Sequence, residues 1–180
     1  MPQVPATPAH RSRSSRVRPS LRRLALPVVA VGLLLAVGSS SAVAGRVRTV
    51  TVTHGPAPTP VLVKAPAGAT PVGDVRYFAY TGTSHAKTVR IFATMTTVGT
   101  ADGTTDEYRD TRIVFVWPNR NDQLILEGVG LYPGAGSTLT PDTTVKRAIV
   151  GGSGIFAGAT GEVVTTHDAD GTWKHVFYIR

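Results

Sequence analysis

The residues best suited to acid/base chemistry in this sequence are a carboxylate, an imidazole and a phenol in stretches of alternating apolar side chains. Glu127 is flanked by aliphatic residues, His175 alternates with Trp173 and Phe177, and Tyr77 lies far upstream. A carboxylate buried beside an imidazole can shift both pKa values toward neutrality and act as an acid/base pair. We therefore predict Glu127 and His175 as catalytic residues, with Tyr77 as a hydrogen-bonding partner.

The direction in which Glu127 points stays open at this level. If Ile125 and Val129 face the interior, the carboxylate is buried with them and must find a donor or take up a proton. If Leu124 and Leu126 face inward instead, Glu127 meets water. The second arrangement is the simpler one, because charged residues are rarely buried without a partner.

Four aromatic residues are predicted to line or fill an interior pocket. Phe115 and Trp117 alternate in one stretch, and Trp173 and Phe177 in another, so each pair shares one face of a strand. An apolar lining of this kind suits a small apolar or aromatic molecule. The same alternation predicts two further inward-facing sets: Val75, Tyr77 and Ala79; and Val89, Ile91, Ala93 and Met95.

Other chemistries lack the residue patterns that they require. No His, Asp or Glu spacing is typical of a metal site, and Ser153 lacks the G-x-S-x-G context of a hydrolase nucleophile. Gly152 and Gly154 match part of a dinucleotide-binding fingerprint, but a strand-like stretch follows them where that motif requires a helix. We therefore predict no metal and no cofactor.

Short β-rich stretches must position these side chains, because no stretch of the folded region has a helical apolar period. Seven candidate strands are separated by turn residues: 74–81, 88–98, 108–117, 123–131, 146–150, 161–167 and 172–179. A further β-rich stretch at residues 47–53 makes eight. Eight strands fit an all-β fold with a single closed antiparallel barrel, which leaves no exposed edge. A β-sandwich is the alternative.

The most distinctive stretch has the sequence AIVGGSGIFAGATGEV at residues 148–163, where five glycines separate two β-branched runs. Glycine tolerates positive φ and close backbone approach, so we predict an ordered corner at residues 151–161 between two strands, with Gly152 at positive φ. The stretch resembles the carboxy-terminal signature of the dirigent and allene oxide cyclase barrel families, in a secreted, bacterial-type form. Weaker similarity extends over most of residues 73–180. The resemblance implies an eight-stranded antiparallel barrel, often trimeric, with a pocket for small apolar molecules.

Two positions depart from the pattern of these families. The resemblance implies an arginine where Thr160 stands and often a polar residue where Ile155 stands, and both positions are associated with catalysis in the families. Without a fixed cation and a polar partner, the chain lacks this means of stabilising a charged intermediate. The resemblance therefore supports the scaffold better than it supports the chemistry.

The first 44 residues have the pattern of an export signal. A basic segment ends at residues 22–23, an apolar run covers 24–37, and the residues AVA at 42–44 resemble a cleavage site. We therefore expect a secreted, extracellular protein that starts at Gly45, by general or twin-arginine export. The apolar run is shorter than the roughly 20 residues of a spanning helix, so no stable membrane anchor is expected after cleavage.

The basic composition is concentrated in this signal. Six of the 19 Lys and Arg residues precede residue 45, where no acid occurs, and the remainder has 13 basic against 11 acidic residues, a net charge of +2. We therefore predict no nucleic-acid binding, because a binding domain keeps its basic patch after processing. No cysteine is present, so stability must come from burial and strand pairing.

A change in composition near residue 73 predicts a domain boundary. Residues 45–72 are rich in proline and hold none of the aromatic residues, which predicts a tether that could include the first strand. All aromatic residues lie between Tyr77 and Tyr178, so the barrel domain is predicted at residues 73–180.

Two functional hypotheses follow from the sequence. The first is a secreted barrel that binds a small apolar or aromatic molecule and steers its cyclisation or coupling, as an isomerase-like or dirigent-like activity. The second is a non-catalytic extracellular barrel with a structural or interaction role, whose interior is filled by its aromatic residues. The interior of an eight-stranded barrel can either be filled by side chains or hold one small ligand. The expected partners are a small apolar ligand and, by the family resemblance, further copies of the chain in a trimer.

Overall fold

The computed structural model describes residues 47–66, 70–119, 121–134 and 138–180. They belong to one compact unit that comprises Ala42–Arg180. The export signal expected at residues 1–44 lies outside the described residues. Among the residues that are described, no helix has the length and apolar character needed to cross a bilayer.

Strands dominate the described residues, as the alternating sequence pattern predicts. A short 3₁₀ helix, Gly154–Phe156, lies between the seventh and eighth of nine strands. The strands are β1 (Arg48–His54), β2 (Val61–Val63), β3 (Val75–Ser84), β4 (Lys87–Thr100), β5 (Glu107–Val116), β6 (Gln123–Tyr132), β7 (Thr143–Ser153), β8 (Gly161–His167) and β9 (Trp173–Ile179).

The strands form one antiparallel sheet in the order β1-β9-β8-β7-β6-β5-β4-β3-β2. A pairing of Thr53 in β1 with Thr83 in β3 closes the sheet into a barrel of eight strands. The short β2 is the extra strand, and it pairs with the beginning of β3, where Val63 lies opposite Val75. The predicted eight-stranded antiparallel barrel is confirmed, and the sandwich alternative is wrong.

The strand β1 lies in the segment that the sequence assigned to a tether with a first strand. Val50 and Val52 of β1 are buried in the core, and the strand pairs with β9 along its whole length. Without β1 the barrel would be open between β3 and β9. The strand β2 was not predicted, and all three of its residues are exposed.

Strand alternation identifies the inward faces of β4, β5 and β9 correctly, but it fails in β3. In β3 the buried residues are Arg76, Phe78, Gly82 and Ser84, whereas Tyr77 is 47% exposed. The predicted inward set Val75, Tyr77 and Ala79 is therefore wrong. Both faces of this strand carry apolar side chains, so the local pattern is ambiguous. The buried Glu107 on β5, which pairs with Arg76, selects the face.

The predicted glycine corner is confirmed between β7 and β8, but the role of Gly152 differs from the prediction. A Cβ at Gly152 would collide with the carbonyl oxygen of Phe156 and would lie 2.7 Å from that of Gln123. The requirement is therefore close backbone approach. Positive φ occurs instead at Gly154 (60°), Gly158 (77°) and Gly161 (130°).

The core fills the barrel between two different ends. Phe115 and Phe177 are fully buried at the centre, with ring centroids 4.9 Å apart in an edge-to-face arrangement. At the closed end, which we define by the 3₁₀ helix and Trp117, the indole packs on Phe156 at 4.7 Å. At the polar end, β1 finishes at His54 opposite Trp173, the first residue of β9.

Candidate functional site

Glu127, the predicted catalytic carboxylate, faces solvent. Its side chain is 47% exposed, and its Oε1 lies 3.3 Å from Nε of the exposed Arg112. Leu124 and Leu126 of the same strand are fully buried, so the arrangement with these two leucines inside is the correct one. Glu127 and His175 are not brought together.

The three predicted catalytic residues do not converge. Tyr77 lies on the outer face of β3, beside Val61 of β2, whereas His175 is 1% exposed inside the barrel. Side chains alternate between the two faces of a strand, and the inward face predicted for β3 is the wrong one. Tyr77 therefore lies on the opposite side of the sheet from His175.

The four predicted pocket residues have three different positions. Phe115 and Phe177 fill the middle of the barrel and leave no opening between them. Trp117 packs into the closed end. Trp173 lines the small cavity at the polar end, whereas Trp117 lines a separate, more open space of about 310 Å³ at the closed end.

The partner of His175 is a second buried histidine, His54. The two Nε2 atoms lie 3.1 Å apart, although 121 positions separate the residues in the chain. His175 Nδ1 lies 2.9 Å from the hydroxyl oxygen of Thr165, and His54 Nδ1 lies 2.6 Å from the carbonyl oxygen of Gly55. Every nitrogen of the two rings therefore has a hydrogen-bond partner.

The hydrogen bonds determine the tautomers of the neutral pair. The carbonyl of Gly55 can only accept, so His54 Nδ1 carries a proton and its Nε2 accepts. His175 must then donate from Nε2, and its Nδ1 accepts the proton of the Thr165 hydroxyl. The hydrogen bonds therefore form one chain of donors and acceptors, from the Thr165 hydroxyl through His175 and His54 to the Gly55 carbonyl.

Both imidazoles are held neutral by their surroundings. Burial lowers the pKa of His175 well below its usual value, and the neighbouring His54 and the charge of Arg147 lower it further. Burial also lowers the pKa of His54, against the opposing effect of the Gly55 hydrogen bond. The pair is therefore uncharged at neutral pH, with no free nitrogen to present to a substrate.

A stack of flat rings supports the histidine pair. The His54 and Trp173 rings are stacked, with centroids 5.9 Å apart and 7° between their planes. His167 stacks on Trp173 as well, at 4.3 Å and 13°, and its Nδ1 lies 2.7 Å from the Leu139 carbonyl oxygen. The polar end therefore contains three buried rings packed nearly parallel to one another.

A small interior cavity of about 30 Å³ lies beside this stack. A cavity of this size accommodates a water molecule or two. Aromatic, apolar and polar side chains surround it. The described residues that line it are Ala57, Phe78, Tyr80, Met95, Ile113, Tyr132, Thr138, Arg147, Thr165, Trp173 and His175.

Arg147 is a buried cation at this cavity. Its side chain is 4% exposed, and Nη2 donates a hydrogen bond of 2.5 Å to the Tyr132 hydroxyl. Its Nε is buried without a hydrogen-bond partner. Burial raises the pKa of Tyr80, the second phenol of the lining, so this phenol is a neutral donor and acceptor at physiological pH.

An open groove of about 440 Å³ adjoins the inner cavity. Ala57 and Thr138 line both spaces, so these two residues form the partition between them. The groove is rimmed by prolines of two loops and by His167: Pro58, Pro60, Pro133 and Pro141. Groove and cavity together reach the size of a small-molecule pocket.

Tyr132 links the cavity to a fully buried ionic network. The guanidinium carbon of Arg109 lies 4.8 Å from the centre of the Tyr132 ring. Glu107 accepts a hydrogen bond of 2.9 Å from Arg109 and pairs with Arg76 at 3.1 Å. The Thr97 hydroxyl donates to the same carboxylate at 2.7 Å.

The pKa of Glu107 reflects a balance within this network. Burial, the largest influence, raises the pKa of this carboxyl, but the hydrogen bonds from Thr97 and Arg109 and the charges of Arg109 and Arg76 lower it more in sum. The net result is a pKa below the usual value, so the carboxylate stays ionised. Within the described ranges, no three His, Asp or Glu side chains are grouped to hold a metal ion.

Sequence reasoning missed His54, Tyr80 and Arg147 as site residues. A period of two from Val50 and Val52 does place His54 on the inner face of β1, and this signal was available. The position of Arg147 had a weaker signal, the two glycines of β6 that leave space for its side chain. Nothing in the sequence indicated that Tyr80 and Arg147 line one cavity or that His54 contacts His175 beside it.

Comparisons with known proteins support the fold and leave the family open. No protein-family model and no curated protein sequence matches the chain. Among solved structures, pyocyanin demethylase is similar, with a TM-score of 0.52 and 15% sequence identity over 74% of this chain and 99% of that chain. At this level of identity, the similarity concerns the barrel fold alone.

Proposed function

We propose that the protein is a secreted barrel that binds a small, flat apolar or aromatic molecule at its polar end. One end of the molecule enters the inner cavity, and the remainder lies in the adjoining groove between the proline-rich loops. Ala57 and Thr138 must move apart for the two spaces to join, because the inner cavity alone holds no more than water. This proposal favours the first of the two functional hypotheses.

The observation that carries the proposal is the lining of the cavity and its position. Trp173, which stacks on His54, lines the cavity together with a small number of polar groups from Tyr80, Tyr132, Arg147 and His175. Ligand sites typically combine an apolar wall with a few oriented polar groups. The space at the closed end is also lined by a tryptophan and an arginine, but its described lining residues include no phenol and no buried imidazole.

We further propose that any cyclisation or coupling of the ligand is steered by shape and by exclusion of water. The histidine pair has all four nitrogens engaged, so it orients its surroundings rather than offering a free base. Holding a flexible molecule in one reactive conformation can by itself accelerate a unimolecular step. This reading replaces the predicted acid/base role of Glu127 with His175.

Two observations support the proposed family and the proposed action on a small molecule. The glycine-rich corner resembles that of the dirigent and allene oxide cyclase barrels, and on this ground we propose these families for the chain. We propose a trimer by the same resemblance, and secretion from the export signal expected at residues 1–44. The structural neighbour is named as a demethylase of pyocyanin, and this is a precedent for action of such a barrel on a small molecule. Intact-mass analysis of the protein from its own culture medium tests cleavage before Gly45.

The binding proposal is tested with the two tryptophans as internal reporters. Mature protein is titrated with neutral flat aromatics of one to three rings, with 2-naphthamide among them, and indole fluorescence is recorded. Trp173 lines the cavity and Trp117 lies at the closed end. We expect saturable quenching that persists in Trp117→Phe and disappears in Trp173→Phe.

A second candidate function, a structural or interaction barrel, is favoured by the filled interior. Phe115 and Phe177 occupy the centre, and the inner cavity is small in the absence of a ligand. Under this alternative no member of the aromatic panel saturates, and native mass spectrometry of protein from the culture medium shows no bound small molecule. That combined result would replace the ligand-binding proposal.

A further inference from the structure

We infer that the inner cavity receives an anionic oxygen of the bound molecule and that Arg147 is the residue that binds it. This inference rests on the proposed function, since it names the charge class of the ligand held at the same polar end. A carboxylate, a phenolate or a comparable oxyanion on a flat apolar body has the required chemistry.

The first support is a contrast between buried arginines. Arg76 and Arg109 share the buried carboxylate of Glu107. Arg147 is nearly as buried, yet none of the ion pairs among the described residues involves it. A buried charge without a counter-ion carries a large desolvation cost, which a bound anion would offset.

The second support is the unsatisfied hydrogen-bond capacity of the guanidinium. Nη2 donates to the Tyr132 hydroxyl, whereas Nε is buried and has no partner. An unpaired buried donor is rare in folded proteins and calls for an explanation. A guanidinium with a free Nε–H presents the donor geometry that an oxyanion accepts.

The remaining lining of the cavity provides no negative charge. The described lining residues include no Asp or Glu. Burial raises the pKa of the Tyr80 phenol and lowers the pKa of His175, so both side chains are neutral. Arg147 is therefore the one charged side chain at neutral pH among the described residues that line the cavity. An anion entering from the groove would meet a cation and neutral hydrogen-bonding groups.

The neighbouring strand provides the space that Arg147 occupies. A Cβ at Gly130 would lie 3.2 Å from Arg147 Nη2, and one at Gly128 would lie 3.3 Å from its Cγ. These two glycines of β6 let the guanidinium lie along the interior wall.

The test compares matched ligands that differ in charge. Benzoate and 2-naphthoate are titrated calorimetrically at neutral pH against benzamide and 2-naphthamide, which have nearly the same shape. For the wild-type protein we expect the anions to bind about tenfold more tightly or better, the range for a hydrogen bond to a charged group. Equal affinity for anion and amide would overturn the inference and leave the proposed function intact, whereas no binding by either class would overturn both.

Variants identify the residue responsible. Arg147→Met is expected to abolish the preference while the amides still bind, and Arg112→Met, which removes an exposed arginine outside the barrel, is expected to retain it. Two milder changes decide the matter if Arg147→Met does not fold. Tyr132→Phe should keep or increase the preference, because it leaves the cation with one acceptor fewer, and Arg147→Lys should reduce it, because lysine has no donor at the Nε position. A preference unchanged in Arg147→Lys would contradict the inference.

Discussion

The two ends of the barrel are built from different interactions. At the closed end, Trp117 and Phe156 pack together and the glycine corner passes so close to the chain that Gly152 has no room for a side chain. At the polar end, buried histidines and arginines are connected by directed hydrogen bonds around a cavity. Apolar packing does not depend on the direction of individual bonds. Buried polar groups need hydrogen-bond partners in defined directions, so a polar group without one marks a position that a ligand can occupy.

This difference also separates the glycine-rich stretch that resembles the dirigent signature from the candidate site. Ile155 belongs to the 3₁₀ helix of the closed end and is 60% exposed, and the Thr160 carbonyl accepts a hydrogen bond from the Arg180 backbone. Neither residue lines the cavity. The positions at which the chain departs from the dirigent pattern therefore lie away from the site proposed for this protein.

The largest effect is expected from the buried network of the polar end. Glu107→Gln removes the charge that Arg76 and Arg109 share, and it should lower the free energy of unfolding by about 3–5 kcal/mol, as breaking a buried ion pair does. Urea denaturation measures the loss. Glu127→Gln is the matched control, because its exposed pair with Arg112 contributes about 1 kcal/mol or less. Similar losses in both variants would show that the buried network does not depend on its charge.

A smaller but clear effect is expected at the closed end. Gly152→Val forces a side chain against the backbone of Phe156 and should cost about 3 kcal/mol through overpacking. Gly151→Ala is the control, since a Cβ at Gly151 meets no atom within 4 Å and the change should stay within about 0.5 kcal/mol. Thermal melting of the two variants gives the comparison. An unchanged melting temperature for Gly152→Val would refute the close approach at this end.

The smallest effect is a dependence of stability on pH that originates at the polar end. The pKa values of His54 and His175 are lowered in the folded protein, so the unfolded chain takes up their protons first as the pH falls below about 6.5. Stability is then complete above that pH and declines below it, by up to about 1.4 kcal/mol per pH unit for each histidine. Glu107, whose pKa is also lowered, contributes only below about pH 4.5.

Thermal melts between pH 8 and pH 5 measure this dependence. His175→Gln should reduce the slope below pH 6.5, because one of the two depressed imidazoles is gone. His85→Asn, in an exposed turn where φ is 46°, keeps a residue that tolerates this conformation and should leave the slope unchanged. Identical slopes in the two variants would remove the histidine pair as the cause.

Most of the fold could be predicted because strand formation depends on local signals. Alternating side chains and turn residues identified seven strands of the barrel, and the β-rich stretch at residues 47–53 identified the eighth. The inward face of β3 was predicted wrongly because both of its faces carry apolar side chains. The ionic partner that selects the face lies on another strand. Of the candidate site, His175 and Trp173 were found from their place on the inner face of β9.

The sequence by itself determined the all-β architecture, the glycine corner and the inward position of His175, because these follow from periods of two and from single residues with special backbone properties. Only the tertiary structure decided that His175 meets His54 rather than Glu127. It also decided that Arg147 lies at the cavity with Nη2 bonded to Tyr132 and Nε without a partner. Closure of the barrel brings together residues from strands that are far apart in the chain. Their meeting depends on strand register and barrel stagger, which no local pattern encodes.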